Sequence, residues 1–147
     1  MVQDTQDAPN SQEDLNDLHS LALVAWKEAR GEGIQGCRAV MHLVENRVGH
    51  PGFASTLHDV IYGKNQFTSM SVPSDPEFNL EPAANDVIFR ACMTLAHSLE
   101  SDPDPTLGAH YYANLKYVTS GWFERNIVSD PVNHPVTVKI GNHTFYR

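Results

Sequence analysis

The segment Glu28-Ala29-Arg30-Gly31-Glu32 sets a carboxylate at the end of an apolar helical run and follows it with two glycines, Gly31 and Gly33. The last turn of a helix carries partial negative charge, which disfavours an ionised carboxyl there. Leu21, Val24 and Ala25, one or two turns earlier on the same side, supply an apolar wall. Both effects favour the protonated acid, the form that donates a proton in general acid catalysis. Local chemistry alone fits an ordinary surface carboxylate beside Arg30 better than a catalytic one. A second carboxylate, for a mechanism that needs two, would come from Glu32, Glu45 or Asp59. Glu32 follows a glycine that turns it away, which suits a structural role in a loop.

Two other patches combine polar and aromatic groups. Gln66-Phe67-Thr68 offers an amide, a ring and a hydroxyl in a row, able to hold an acetamido group and stabilise developing charge. Phe67 also fits a core position. Tyr111, Tyr112 and Asn114 form a patch of the kind that stacks on pyranose faces and bonds to hydroxyls. One of the two tyrosines belongs to the core, and the spacing does not say which. Trp122 suits either a groove wall or a cap on the core. The eight histidines occur without His-Glu-x-x-His or Cys-x-x-Cys, so neither a metal nor another cofactor is expected. Neither cysteine sits in a polar loop, which leaves Cys-His catalysis without local support.

The elements that must position these groups are mostly helices. Apolar residues at helical spacing mark a helix over residues 15–29, stopped by Gly31 and Gly33, and another over 35–48 with Cys37, Val40, Met41, Val44 and Val48 on one stripe. Thr56-x-x-Asp59 has the form of a helix cap, predicting a short helix over 57–62 that ends at Gly63. Residues 64–70 read as extended. Pro82 fits the first position of a helix reaching about residue 99, with Val87, Ile88, Ala91, Cys92, Leu95 and Leu99 on its buried face. Val136-Thr-Val-Lys-Ile, Gly141-Asn142 and Thr144-Phe-Tyr read as a β-hairpin. The fold class is therefore mainly α (α+β), with a small β element.

At 147 residues the chain suits one domain, over 14–147, preceded by a flexible polar tail over 1–13. The net charge of −8 argues against nucleic acid as a partner. No apolar run reaches the roughly 20 residues that span a bilayer, so stable membrane insertion is not expected. The first residues lack the basic and apolar regions of a secretory signal, which predicts synthesis and folding in a cytoplasm. Cys37 and Cys92 lie on apolar helix sides and are expected as buried free thiols.

The chain resembles the SleB-type cell-wall hydrolases, a family that includes spore-cortex-lytic enzymes and many phage endolysins. The resemblance rests on six blocks in order, beginning with Ala25-Trp26-Lys27-Glu28-Ala29-Arg30-Gly31-Glu32 and Val44-Glu45-Asn46-Arg47-Val48 with His50-Pro51-Gly52-Phe53. Asp59-Val60-Ile61-Tyr62, Gln66-Phe67-Thr68, Ala109-His110-Tyr111-Tyr112-Ala113-Asn114 and Ile140-Gly141-Asn142-His143-Thr144-Phe145-Tyr146-Arg147 complete it. Glu45 departs from the pattern, standing where the family usually has an apolar residue.

The resemblance implies a fold similar to lysozymes and lytic transglycosylases, with Glu28 as catalytic acid. It implies cleavage between N-acetylmuramic acid and N-acetylglucosamine in a peptidoglycan glycan strand, as a lytic transglycosylase leaving 1,6-anhydro ends. It further implies that Gln66, Phe67, Thr68, Tyr111, Tyr112, Asn114, Trp122 and His143 lie along the substrate groove, with a tyrosine of the 111/112 pair near Glu28. A muramidase-type hydrolase, an N-acetylmuramoyl-L-alanine amidase and a non-catalytic wall-binding virion domain are the alternatives. A phage endolysin would wait as a monomer in the host cytoplasm until a holin opened the membrane.

Overall fold

The computed structural model describes residues 11–116 and 121–147; the expected polar tail falls outside them except for its last three residues, which instead start a helix. The Ser11 side chain accepts from the Asp14 amide at 3.0 Å, and Glu13 and Asp14 sit where the helix dipole is positive. Helix α1, Gln12–Ala29, therefore begins before residue 15. Its second half is encased by neighbouring helices, so that every residue from Ser20 to Lys27 is buried.

A single 3-10 turn, Arg30–Glu32, and Gly33 at φ +76° lead into α2, Gly33–Arg47. A Cβ at Gly36 would collide with the Glu32 side chain, so glycine lets α2 pack against this turn. The predicted stripe of Cys37, Val40, Met41 and Val44 is buried, but so are Ala39 and Leu43, because helices lie on two sides of α2. Helix α3, Leu57–Tyr62, has the predicted cap: Thr56 Oγ1 accepts from the Asp59 amide at 3.2 Å. The Ser20 and Tyr62 hydroxyls, 2.8 Å apart, join it to α1.

Two helix expectations need correction. Residues 64–70 are not extended throughout, for a one-turn helix α4, Thr68–Ser71, follows Phe67. Helix α5 runs over Val87–Ala96 and does not start at Pro82. Asp86 accepts from the Phe89 amide at 2.8 Å and so supplies a side-chain cap that proline cannot. Val87, the first residue past that cap, is 74% exposed instead of buried. Cys37 of α2 and Cys92 of α5 are both buried free thiols.

Strands β1, Tyr111–Ala113, β2, Val136–Ile140, and β3, His143–Tyr146, make an antiparallel sheet in the order β1-β3-β2. The β2–β3 hairpin is the one read from the sequence, with Gly141 at φ +59° in its turn. Strand β1 joins it by pairing Tyr112 with Phe145. Between β1 and β2 the chain adds a short helix α6, Gly121–Phe123, that widens into a π turn over Glu124–Val128. Phe145 and the core of α1 and α2 belong to one buried cluster, so the sheet and the helices share a core.

Candidate active site

Glu28 lies one residue before the end of α1, half-buried, with Leu21, Val24 and Ala25 sealed behind it. Its two carboxyl oxygens meet two hydroxyls from distant parts of the chain. Tyr112 Oη on β1 donates to Oε1 at 2.5 Å, and Ser69 Oγ on α4 donates to Oε2 at 2.8 Å. Burial first, then the Glu28 charge and hydrogen bond, push the Tyr112 phenol well above its ordinary range. Tyr112 therefore stays protonated and donates.

Strand alternation sorts the two tyrosines. Tyr112 faces Glu28, its ring stacked on Phe145 at 5.7 Å and touched at the edge by His143 at 5.0 Å. Tyr111 points the other way, against Phe53 at 5.7 Å and His134 at 5.3 Å. Between these two sides lies Arg47, only 8% exposed, which donates from Nε to the His110 carbonyl at 2.8 Å and from a guanidinium nitrogen to Gln66 Oε1 at 3.2 Å. Its guanidinium stands over the rings of Phe53 and Phe67, 4.9 and 5.1 Å from their centroids. Burial lowers the Arg47 pKa, while the nearby Tyr112, Tyr111 and Glu28 act to raise it.

The Gln66-Phe67-Thr68 block is thus divided in its surroundings. Phe67 is 4% exposed and belongs to the core beneath Arg47, which corrects its assignment to the groove. Gln66 is half-buried and tied to that same arginine. Thr68 is exposed and donates to Asp75 Oδ2 at 2.5 Å. The residue that reaches the acid is the next one, Ser69.

Glu28's sequence neighbours hold the segment that carries Ser69. The buried Lys27 donates from Nζ to the carbonyls of Ser69, at 3.1 Å, and Phe78, at 2.8 Å. Arg30 lies over the Trp26 ring, 4.3 Å from its centroid, and makes a two-point ion pair with Glu77 at 2.5 and 2.9 Å.

The remaining candidates occupy other places. Glu32 accepts from the backbone and side-chain nitrogens of Asn142 at 2.7 and 3.2 Å, clasping the hairpin turn; these bonds, the backbone one foremost, lower its pKa. Glu45 lines a separate depression with Leu18, His42, Leu99, Glu100 and Asp102. Desolvation raises its pKa, with Glu100 and Asp17 adding to the effect and His42 opposing it. Asp59 is exposed and paired with His58 at 3.2 Å. Asn114 folds back to accept from the Lys116 amide, and Trp122 is 55% exposed. His143 packs on Tyr112 with its Nδ1 buried and unpartnered; burial lowers its pKa, against the pull of Glu32 and Glu28. Among the described residues no three or more His, Cys, Asp or Glu side chains converge as metal ligands would.

Sequence reasoning missed Ser69, Lys27 and Arg47 as parts of this arrangement. Ser69 adjoined a block already singled out, and its hydroxyl was the available signal. A lysine and an arginine at positions 27 and 47 carry no local mark of burial.

A family model described as Cell Wall Hydrolase matches residues 31–146, beginning just past Glu28. The spore cortex-lytic enzyme of Oceanobacillus iheyensis is 32% identical over 132 residues, 90% of this chain and 42% of that protein. The enzyme of the same name from Bacillus subtilis is 28% identical over 130 residues, 88% of this chain and 37% of that one. This chain thus spans less than half the length of these curated relatives. Among solved structures, the catalytic domain of the germination-specific lytic transglycosylase SleB from Bacillus anthracis aligns with a TM-score of 0.69. It is 29% identical, over 94% of this chain and 97% of that one. The catalytic domain of the Bacillus cereus SleB protein aligns with a TM-score of 0.68 and 28% identity, over 96% of each chain. The mainly helical fold with its small three-stranded sheet is the SleB catalytic-domain fold, and with a family model covering most of its length the chain belongs to the cell wall hydrolase family.

Proposed function

We propose that this domain cleaves the bond between N-acetylmuramic acid and N-acetylglucosamine in peptidoglycan as a lytic transglycosylase, with Glu28 as acid and then base. The observation that carries the reading is the clasp of Glu28 by the Tyr112 and Ser69 hydroxyls at the seam of helices and sheet. Glu28 gives its proton to the glycosidic oxygen, and the C1–O bond breaks as oxocarbenium character develops on muramic acid. Both hydroxyls then donate to the new carboxylate, so their bonds strengthen as the proton leaves. That carboxylate takes the proton of the sugar's own 6-hydroxyl while O6 bonds to C1. One carboxylate closes the cycle. The engagement of Glu32 with Asn142, of Asp59 with His58 and of Glu45 in a separate depression supports the single-acid reading over a two-acid hydrolysis.

In this reading Gln66, Thr68, Asn114, Trp122 and His143 offer polar and aromatic contacts to the strand. The resemblance to phage endolysins extends it to a monomer held in the host cytoplasm until a holin opens the membrane. Mass analysis of glycan released from purified sacculi tests the chemistry. Ends about 18 Da, one water, lighter than reducing sugars are the expected product. Reducing ends contradict the transglycosylase step, and intact glycan with free peptides contradicts glycan cleavage altogether.

A further inference from the structure

Lys27 and Glu28 are consecutive on α1, so their side chains leave the helix about 100° apart. One residue of α4 meets both: the Ser69 carbonyl accepts from Lys27 Nζ at 3.1 Å, and the Ser69 hydroxyl donates to Glu28 Oε2 at 2.8 Å. The same ammonium also holds the Phe78 carbonyl at 2.8 Å, with the Phe78 ring centroid 5.8 Å away. Lys27 therefore pins both ends of the segment from Ser69 to Phe78 against the end of α1. An ammonium with 8% exposure carries a desolvation cost of several kcal/mol, which two carbonyls offset in part. Glu81, Glu77 and Asp75 lie near enough to act on its charge.

We propose that Lys27 is a positioning residue for the catalytic acid, acting through the Ser69 backbone to hold the Ser69 hydroxyl on Glu28. The proposal rests on Glu28 being that acid. Without the ammonium, the Ser69 carbonyl loses its anchor, the hydroxyl drifts from Oε2, and the carboxyl gains rotational freedom. Misplacement by an ångström or so is enough to cost about a hundredfold in rate. Lys27 is buried with its ammonium committed to two carbonyls, so its effect is expected on kcat with KM left in place.

The test is a double-mutant cycle on soluble glycan strands, with melting temperatures measured for every variant. Lys27→Met and Ser69→Ala are each expected to lower kcat about 10- to 100-fold with KM within about twofold, and Lys27→Arg to recover most of the loss. In the Ser69→Ala background, Lys27→Met is expected to cost nothing further in kcat while lowering the melting temperature as before. Lys27→Gln, which keeps a donor without the charge, runs in parallel in case Lys27→Met does not fold. An equal kcat penalty on both backgrounds, or a full kcat in Lys27→Met, overturns the proposal. Glu28→Gln separates the two levels: its inactivity beside a fully active Lys27→Met sinks the Lys27 role alone, whereas an active Glu28→Gln sinks the reading beneath it.

Discussion

A carboxyl acid that must give up and regain a proton needs a fixed direction and partners that tolerate both states. Glu28 has them in two hydroxyls, one on each oxygen. Burial and the Glu28 charge keep the Tyr112 phenol protonated, so it remains a donor as the Ser69 hydroxyl does. Tyr112→Phe removes one donor and keeps the ring between His143 and Phe145. We expect kcat on glycan strands to fall about 10- to 100-fold, with stability changed by about 1 kcal/mol. A kcat within twofold of the parent, measured at saturating glycan, would remove Tyr112 from the catalytic arrangement. At this scale the family resemblance pointed to Glu28 and narrowed its tyrosine neighbour to a pair, of which Tyr112 is the one that reaches the carboxyl. It could not show Ser69 or the buried lysine, because these contacts join residues more than forty positions apart.

At the scale of elements, local signals were legible at one helix cap and one strand turn, and missed at the Ser11 and Asp86 caps. The Thr56 cap and the Gly141-Asn142 turn both stand where the residues indicated. Pro82 misled because Asp86 offers a better cap, and β1 escaped notice because three residues carry no periodicity until β3 pairs with them. The hairpin is fastened to the Arg30–Glu32 turn by Glu32, whose carboxylate fills the space beside Gly141. Gly141→Ala would force φ +59° on an alanine and drive its Cβ into Glu32 Oε1. The expected destabilisation is about 2–4 kcal/mol by denaturant unfolding. In a Glu32→Ala background the loss should shrink to about 1–2 kcal/mol, the backbone strain alone. An unchanged loss would show that Glu32 does not clasp the turn.

At the scale of the whole molecule, Glu28 comes from a helix, Ser69 from a one-turn helix and Tyr112 from the sheet, so the site exists only when both halves share their core. His110, 8% exposed and stacked on His50 at 3.6 Å, lies where the sheet meets the end of α2. Burial, helped by the charges of His50, Arg47 and Arg147, lowers its pKa from 6.5 to about 4. Between those values the unfolded chain binds a proton that the folded chain refuses. His110 thus contributes stability that is fully present above pH 6.5 and lost as pH falls to about 4, on the order of 3 kcal/mol. Burial of His143 acts in the same direction, and the raised Glu45 in the opposite one. Melting curves of His110→Gln should therefore depend less steeply on pH over this window than those of the parent; an identical slope would contradict the assignment.

The claim on which the rest depends is that Glu28 carries the proton. The most direct measurement is the rate of glycan-bond cleavage in purified sacculi by Glu28→Gln beside the parent chain, at a temperature where both are folded. Glutamine keeps the shape, its amide oxygen accepting from one of the two hydroxyls and its NH2 donating to the other, but it cannot serve as the acid. A loss of about a thousandfold or more is expected if Glu28 is the acid. A Glu28→Gln enzyme that cuts glycan within tenfold of the parent would contradict it.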